Sequence, residues 1–244
     1  MELAGAVAVV TGGAVRVGRA LVLALAGRGV RVAVHYGSSA EAAESAVAEA
    51  RGLGAEAFAL SADLADEAAV GRIVPAVRER FGAPVDILIN SASIFEAGAF
   101  AKTTSAQWDR HFLINLKAPF LLTQAFAAQV EEGRTGKVVN LNDWRGFRPA
   151  DDHFAYTMSK GALIALTRGT AIALAPRVHV NCLALGAILP PESASEARKA
   201  RIISEVPLGR WGGAEEVARA MLYLLESDYV TGETVFVDGG RSLV

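Results

Sequence analysis

The sequence predicts a doubly wound α/β fold around a parallel sheet, and three observations carry that expectation. Short continuous apolar runs, the mark of strands buried on both faces, alternate along the chain with longer segments of helical character. The first run ends in Thr11-Gly12-Gly13 and passes into a helix, the opening of a βαβ unit. No linker interrupts the alternation, so residues 1–244 read as a single domain.

Taken in order, residues 6–10 form the first strand and 16–28 a helix stopped by Gly29. Residues 31–36 give the second strand. Ser39 then caps a helix over 40–53, with Glu41 and Glu44 near its positive end. Residues 55–60, 66–81 and 85–89 continue as strand, helix and strand. Residues 108–130 read as one long helix carrying Asn115, 137–141 as a fifth strand, 154–174 as a helix closed by Pro176, and 178–183 as a sixth strand. From 186 to 207 the pattern weakens around Pro190 and Pro191, and so long a segment between core elements reads as a substrate lid. Residues 214–225 and 234–237 supply the last helix and strand.

Composition narrows the function classes. With 52% hydrophobic and 20% charged residues, the chain has the apolar material for a large core. A net charge of −2 leaves no basic footprint for nucleic acid or an anionic membrane. No apolar run approaches the ~20 residues that span a bilayer, and the first strand starts too near Met1 to leave room for a signal peptide. The single cysteine, Cys182, excludes an internal disulfide and suits a reducing cytoplasm. None of the four histidines has a carboxylate or thiol partner at metal-ligand spacing, so no metal is expected.

Tyr156 and Lys160 stand four apart in a helical run, on one face and one turn apart. An ammonium beside a phenol favours the phenolate, which would tune Tyr156 as a proton donor and acceptor near neutral pH. This pair, read with the loop from Thr11 through Arg16 and Val17 to Gly18, resembles the short-chain dehydrogenase/reductase family. The resemblance runs from Val7 to Gly240 and implies a seven-stranded parallel sheet with helices on both faces. It also implies a nicotinamide cofactor and a protonating tyrosine.

In most of that family a serine stands thirteen positions before the tyrosine and bonds the substrate carbonyl; here the position is Asp143, and no Ser or Thr occurs between 140 and 155. Asp143, Arg16 in the glycine loop and the phrase starting at Tyr156 together resemble the pteridine reductases, which reduce C=N bonds of pterin rings with NADPH. An ionised carboxylate repels the oxyanion of ketone reduction, whereas a pterin's N–H groups need acceptors. The expected reaction is therefore reduction of a dihydropterin or dihydrofolate, with Tyr156 giving the proton and Asp143 orienting acid or ring. Two alternatives stay open. One is a carbonyl reductase acting on 3-oxoacyl thioesters or sugars, if burial keeps Asp143 protonated. The other is an idle NADP-binding protein, since the serine is gone and one loop glycine is replaced by Arg16. A separate reading of Asp143 has it only cap a turn, in an enzyme that works without the serine.

The remaining site residues follow from the same likeness. Gly12 and Gly18 let backbone approach a pyrophosphate at a helix N-terminus. Arg16 is expected to reach phosphate and an electron-rich ring, or else to be an exposed helix-start residue. No acid follows the second strand to hold a ribose diol, so NADPH is expected over NADH, its 2′-phosphate meeting His35, Tyr36, Ser38 and Ser39; plain capping is the other reading of the serines. Asp63 and Leu64 resemble the adenine-contacting pair, with helix capping as the alternative for Asp63. Asn90, Ala92 and Ser93 lie where the family runs beneath its cofactor, with the Ser93 hydroxyl expected near the nicotinamide ribose or the substrate. Phe95 is expected to sandwich a pterin, or simply to pack in the core. Asn115 matches a residue that relays protons to Lys160 through water, or makes structural bonds. Gly186 and Ile188 are expected to line the nicotinamide pocket, Ile188 alternatively being core. The family's habit of pairing long helices and the last strand implies a homotetramer.

Overall fold

Alternate residues of the first strand, Val7–Val10 (β1), enter opposite apolar layers: Ala8 and Val10 join one, Val7 and Val9 the other. Burial on both faces is what makes such a run continuously apolar. In the computed structural model, which describes residues 1–244, six further strands follow: Arg31–Tyr36 (β2), Ala57–Ser61 (β3), Ile87–Asn90 (β4), Gly136–Asp143 (β5), Val178–Leu185 (β6) and Thr234–Val237 (β7). They form one sheet in the order β3-β2-β1-β4-β5-β6-β7, every neighbouring pair parallel.

The helices are Arg16–Ala26 (α1), Ala40–Gly52 (α2), Glu67–Phe81 (α3), Ser105–Phe112 (α4), Ala118–Gln129 (α5), Phe154–Leu174 (α6), Glu196–Ser204 (α7) and Ala214–Glu226 (α8). Leu21, Val47 and Met221 carry α1, α2 and α8 onto one face of the sheet; Val77, Phe126 and Ala171 carry α3, α5 and α6 onto the other. The doubly wound α/β fold is therefore as expected. Strand order reverses between β1 and β4, which opens a crevice at their carboxyl ends, where Thr11, Asn90 and the loops after them converge.

Two stretches differ from the sequence reading. The long helix starts earlier, at Ser105, because Thr104 and Gln107 form a reciprocal cap. It also widens into a π-helical turn over Leu113–Lys117, which carries Asn115. The 186–207 segment contains α7, a nine-residue helix that buries no residue.

Candidate active site

The glycine turn after β1 is held by backbone and by two side chains. The Thr11 hydroxyl accepts from the amides of Ser91 and Ala92 (3.0 and 3.1 Å), stitching the end of β1 to the chain leaving β4. Gly12 has φ +63°, and a Cβ there would sit 3.0 Å from Ala92 Cα; at Gly18 a Cβ would meet the Gly12 carbonyl oxygen at 2.0 Å. Both glycines are thus required by close approach.

His35 corrects the sequence expectation. Its ring is 1% exposed, Nδ1 accepts from Gly12 N–H (3.2 Å) and Nε2 donates to Ala62 O (3.1 Å), so neither nitrogen is free for a phosphate. Burial lowers its pKa, against the Ala62 bond, which raises it.

Ser38, Ser39, Asp63, Leu64, Ala92 and Ser93 all line one cleft of about 490 Å³ with Gly12. Ser39 stands at the start of α2 without making a capping bond. The cap of α3 is Asp66, while Asp63 accepts only from Ala65 N (2.8 Å). The capping readings of Ser39 and Asp63 therefore fall. Tyr36 and Val17 pack partly buried against the core layer.

Asn90 is 3% exposed and donates to Asn140 (2.8 Å), which donates to Thr167 (2.9 Å); it pins β4, β5 and α6 together. Ile188 is 5% exposed within the core layer, so its side chain follows the packing alternative. Gly186 lies against Asp238, whose Cα a Cβ would approach to 2.6 Å.

Arg16 is the sole non-glycine residue with positive φ, +51°. Its guanidinium pairs with Glu192 (3.1 Å) and reaches Pro190 O (3.3 Å). It is tied to the 186–207 segment rather than left as a free helix-start residue.

At the other end of the crevice, β5 ends on Asp143. One carboxylate oxygen caps the short turn Trp144–Gly146 through Arg145 N (2.8 Å); the other accepts from the Tyr156 hydroxyl (3.0 Å). Burial raises the pKa of Asp143, against lowering contributions from the Arg145 amide and charge, the Tyr156 bond and Lys160. Burial and the Asp143 carboxylate push Tyr156 well above the usual phenol value. This overturns the expectation that Lys160 makes Tyr156 acidic: the Lys160 ammonium donates to Leu141 O (2.8 Å) and sits 5.7 Å from the centre of the Tyr156 ring. The Lys160 pKa falls to about 8 through burial, partly offset by Asp143.

Asn115 fills its hydrogen-bonding capacity. Its oxygen accepts from Ser93 Oγ (3.1 Å) and Ile94 N (2.9 Å), and its amide donates to Ile94 O and Ser159 Oγ (both 3.1 Å). The structural reading describes this side chain, which binds the loop carrying Phe95 to α6 and makes no hydrogen bond to Lys160.

Phe95 is 53% exposed, stacked on His153 (3.9 Å, 5°) and edge-on to Tyr156 (4.6 Å). It is not a core residue. The structure holds no cluster of three or more metal-donor side chains, and no helix is long and apolar enough to cross a membrane.

Residues 13–242 match the family described as enoyl-(acyl carrier protein) reductase. The chain is 32% identical over 238 residues to the 3-oxoacyl-[acyl-carrier-protein] reductase FabG of Staphylococcus aureus, covering 96% of each chain. Its structure is similar to FolM alternative dihydrofolate reductase 1 from Brucella canis complexed with NADP (TM-score 0.94, 35% identity, 100% of this chain and 96% of that one). It is also similar to a variant of a short-chain dehydrogenase/reductase from Serratia marcescens (TM-score 0.92, 32% identity, 99% and 100%).

The chain belongs to the short-chain dehydrogenase/reductase family. Membership makes it an oxidoreductase, and beside the tightly packed Gly12–Gly18 turn a cleft of about 490 Å³ runs from Gly12 to Asp63, as a dinucleotide would need. Three participants went unnoticed in the sequence. Arg110 lines that cleft while paired to Glu96 (2.6 Å). Arg145 bonds Asp152 (3.1 Å) and lies 5.8 Å over Phe95, and His153 backs the Phe95 ring. The last two flank Asp143 and Tyr156 in the chain, and that proximity was the available signal.

Proposed function

We propose that this oxidoreductase uses NADPH to reduce a C=N bond of a dihydropterin or dihydrofolate. The observation that carries the reading is the partly buried hydrogen bond from Tyr156 to Asp143, with the half-exposed ring of Phe95 against it. NADPH, when bound, supplies the hydride; the remaining work falls to the chain. Gly12, Gly18, Ser38, Ser39 and Asp63 would hold the dinucleotide, and Lys160, an ammonium at neutral pH, would bond its ribose hydroxyls. Tyr156, kept protonated by burial, turns its hydroxyl from Asp143 to the substrate nitrogen and delivers the proton. Asp143 then accepts from the heterocycle's N–H groups. Phe95 covers the flat ring with its exposed area. The 186–207 segment closes over the substrate, with Arg16 as its contact to the cofactor turn. The likeness to FolM in its NADP complex supports both cofactor and substrate class.

A carbonyl reductase is the second reading, in which Asp143, its pKa raised by burial, would have to be protonated to donate to a ketone oxygen as a serine does. The likeness to 3-oxoacyl-[acyl-carrier-protein] reductase points the same way. Exposed apolar residues on the outer helices and last strand, Phe120, Ile172, Tyr223 and Phe236, suit a homotetramer, and the free, buried Cys182 suits the cytoplasm. The test is NADPH oxidation with dihydrobiopterin, dihydrofolate and an acetoacetyl thioester, for wild type and Asp143→Ser. Pterin turnover that the substitution abolishes is expected. Turnover of the thioester alone selects the second reading, and binding without any turnover indicates an idle protein.

A further inference from the structure

We propose that His35 is a positioning residue whose neutral form locks the two walls of the cofactor cleft together, so that dinucleotide affinity falls when it is protonated. The inference rests on the reading of the crevice as a dinucleotide site. It also replaces the role expected from sequence, contact with a 2′-phosphate.

The geometry allows one tautomer. Gly12 N–H is a fixed donor, so Nδ1 must accept; Ala62 C=O is a fixed acceptor, so Nε2 must carry the proton. The His35 carbonyl accepts from Gly13 N (3.0 Å), so this one residue anchors both Gly12 and Gly13. Ala62 immediately precedes Asp63 and Leu64 on the opposite wall of the cleft. The imidazole therefore cross-links the glycine turn to the wall assigned to adenine.

Protonation would set an Nδ1–H donor against the Gly12 N–H donor, and the turn must then let go. The ring is buried and its pKa is lowered by that burial. The charged groups facing the same cleft are Asp63, from the chain after β3, and Arg110, from α4; the glycine turn and the Ser38–Ser39 segment bring none. Because the folded-state value lies below the ordinary 6.5, the neutral lock is complete above pH 6.5 and is lost as pH falls through the lowered value.

Calorimetric titration of NADP⁺ and NAD⁺ between pH 5 and 8 tests this with wild type, His35→Gln and His35→Leu. Glutamine keeps one acceptor and one donor but cannot titrate; leucine has neither. Wild-type affinity for both dinucleotides should fall on the acid side, the glutamine variant should stay flat, and the leucine variant should bind both roughly tenfold more weakly throughout. A loss confined to NADP⁺ would overturn the proposal in favour of phosphate contact, and an unchanged acid fall in both variants would overturn it outright. Should the variants not fold, the wild-type imidazole nitrogen shifts decide: a neutral ring protonated at Nδ1 refutes the lock. A wild type that binds neither dinucleotide at pH 8 refutes the cofactor reading itself, a result distinct from binding without pH dependence.

Discussion

The two ends of the crevice are built from different material. At the cofactor end the shape is set by backbone: Gly12, Gly18 and the amides gathered by Thr11 leave little to side-chain choice beyond His35. At the proton end the shape is set by side chains whose partners come from distant elements: Asp143 from β5, Tyr156 and Lys160 from α6, Phe95 from the loop after β4. A backbone-built site tolerates no added atom but is indifferent to chemistry. A side-chain-built site leaves the backbone frame in place and changes its reaction with each substitution.

That contrast predicts separable failures. Tyr156→Phe should cost roughly 10²- to 10⁴-fold in kcat through loss of the proton donor, with dinucleotide binding unchanged by calorimetry. A variant that also lost binding would break the separation. Gly18→Ala should do the reverse: with 2.0 Å to the Gly12 oxygen, the turn must open. Binding and turnover should fall together, with about 1–3 kcal/mol lost from unfolding stability in denaturant titrations.

Lys160 joins both ends and sharpens the comparison. With its pKa at about 8, kcat/KM should decline above that pH as the ammonium is lost, and Lys160→Arg should move the decline upward. Stability should change in the opposite direction. The folded-state value is depressed from 10.5, so the penalty of burying the charge is full below about pH 8 and disappears as pH rises toward 10.5. Thermal unfolding across that range should show this group's contribution rising while activity falls. The smallest effect is at Phe95, where Phe95→Leu should raise KM for a pterin about three- to tenfold with kcat little changed, the worth of one aromatic contact.

The same contrast explains what could be read in advance. Strand runs and the Gly12–Gly18 spacing are local, so the sheet and the turn were legible in the sequence. Tyr156 and Lys160 were legible because a helix fixes residues four apart on one face. Their electrostatics were not: neighbouring positions suggested that Lys160 acts on Tyr156, whereas the fold delivers Asp143 to the phenol and Leu141 O to the ammonium. His35 failed for the same reason, since nothing in the order of residues says that its ring turns inward to Gly12 and Ala62. Arg16 was assigned to cofactor and substrate from its position in the loop, and its partner Glu192 lies in a segment with no periodic pattern to anchor a prediction.

The widened turn at Leu113–Lys117 acts as a length gauge between two walls of the cavity. Deleting one residue within the widened turn would let the regular helix reform and move Asn115 from the position that the turn gives it. That would withdraw the side chain that holds Ile94 and Ser159 at a common distance. The aromatic cover and the acid-bearing helix would then drift independently, although no group that touches a substrate had been altered.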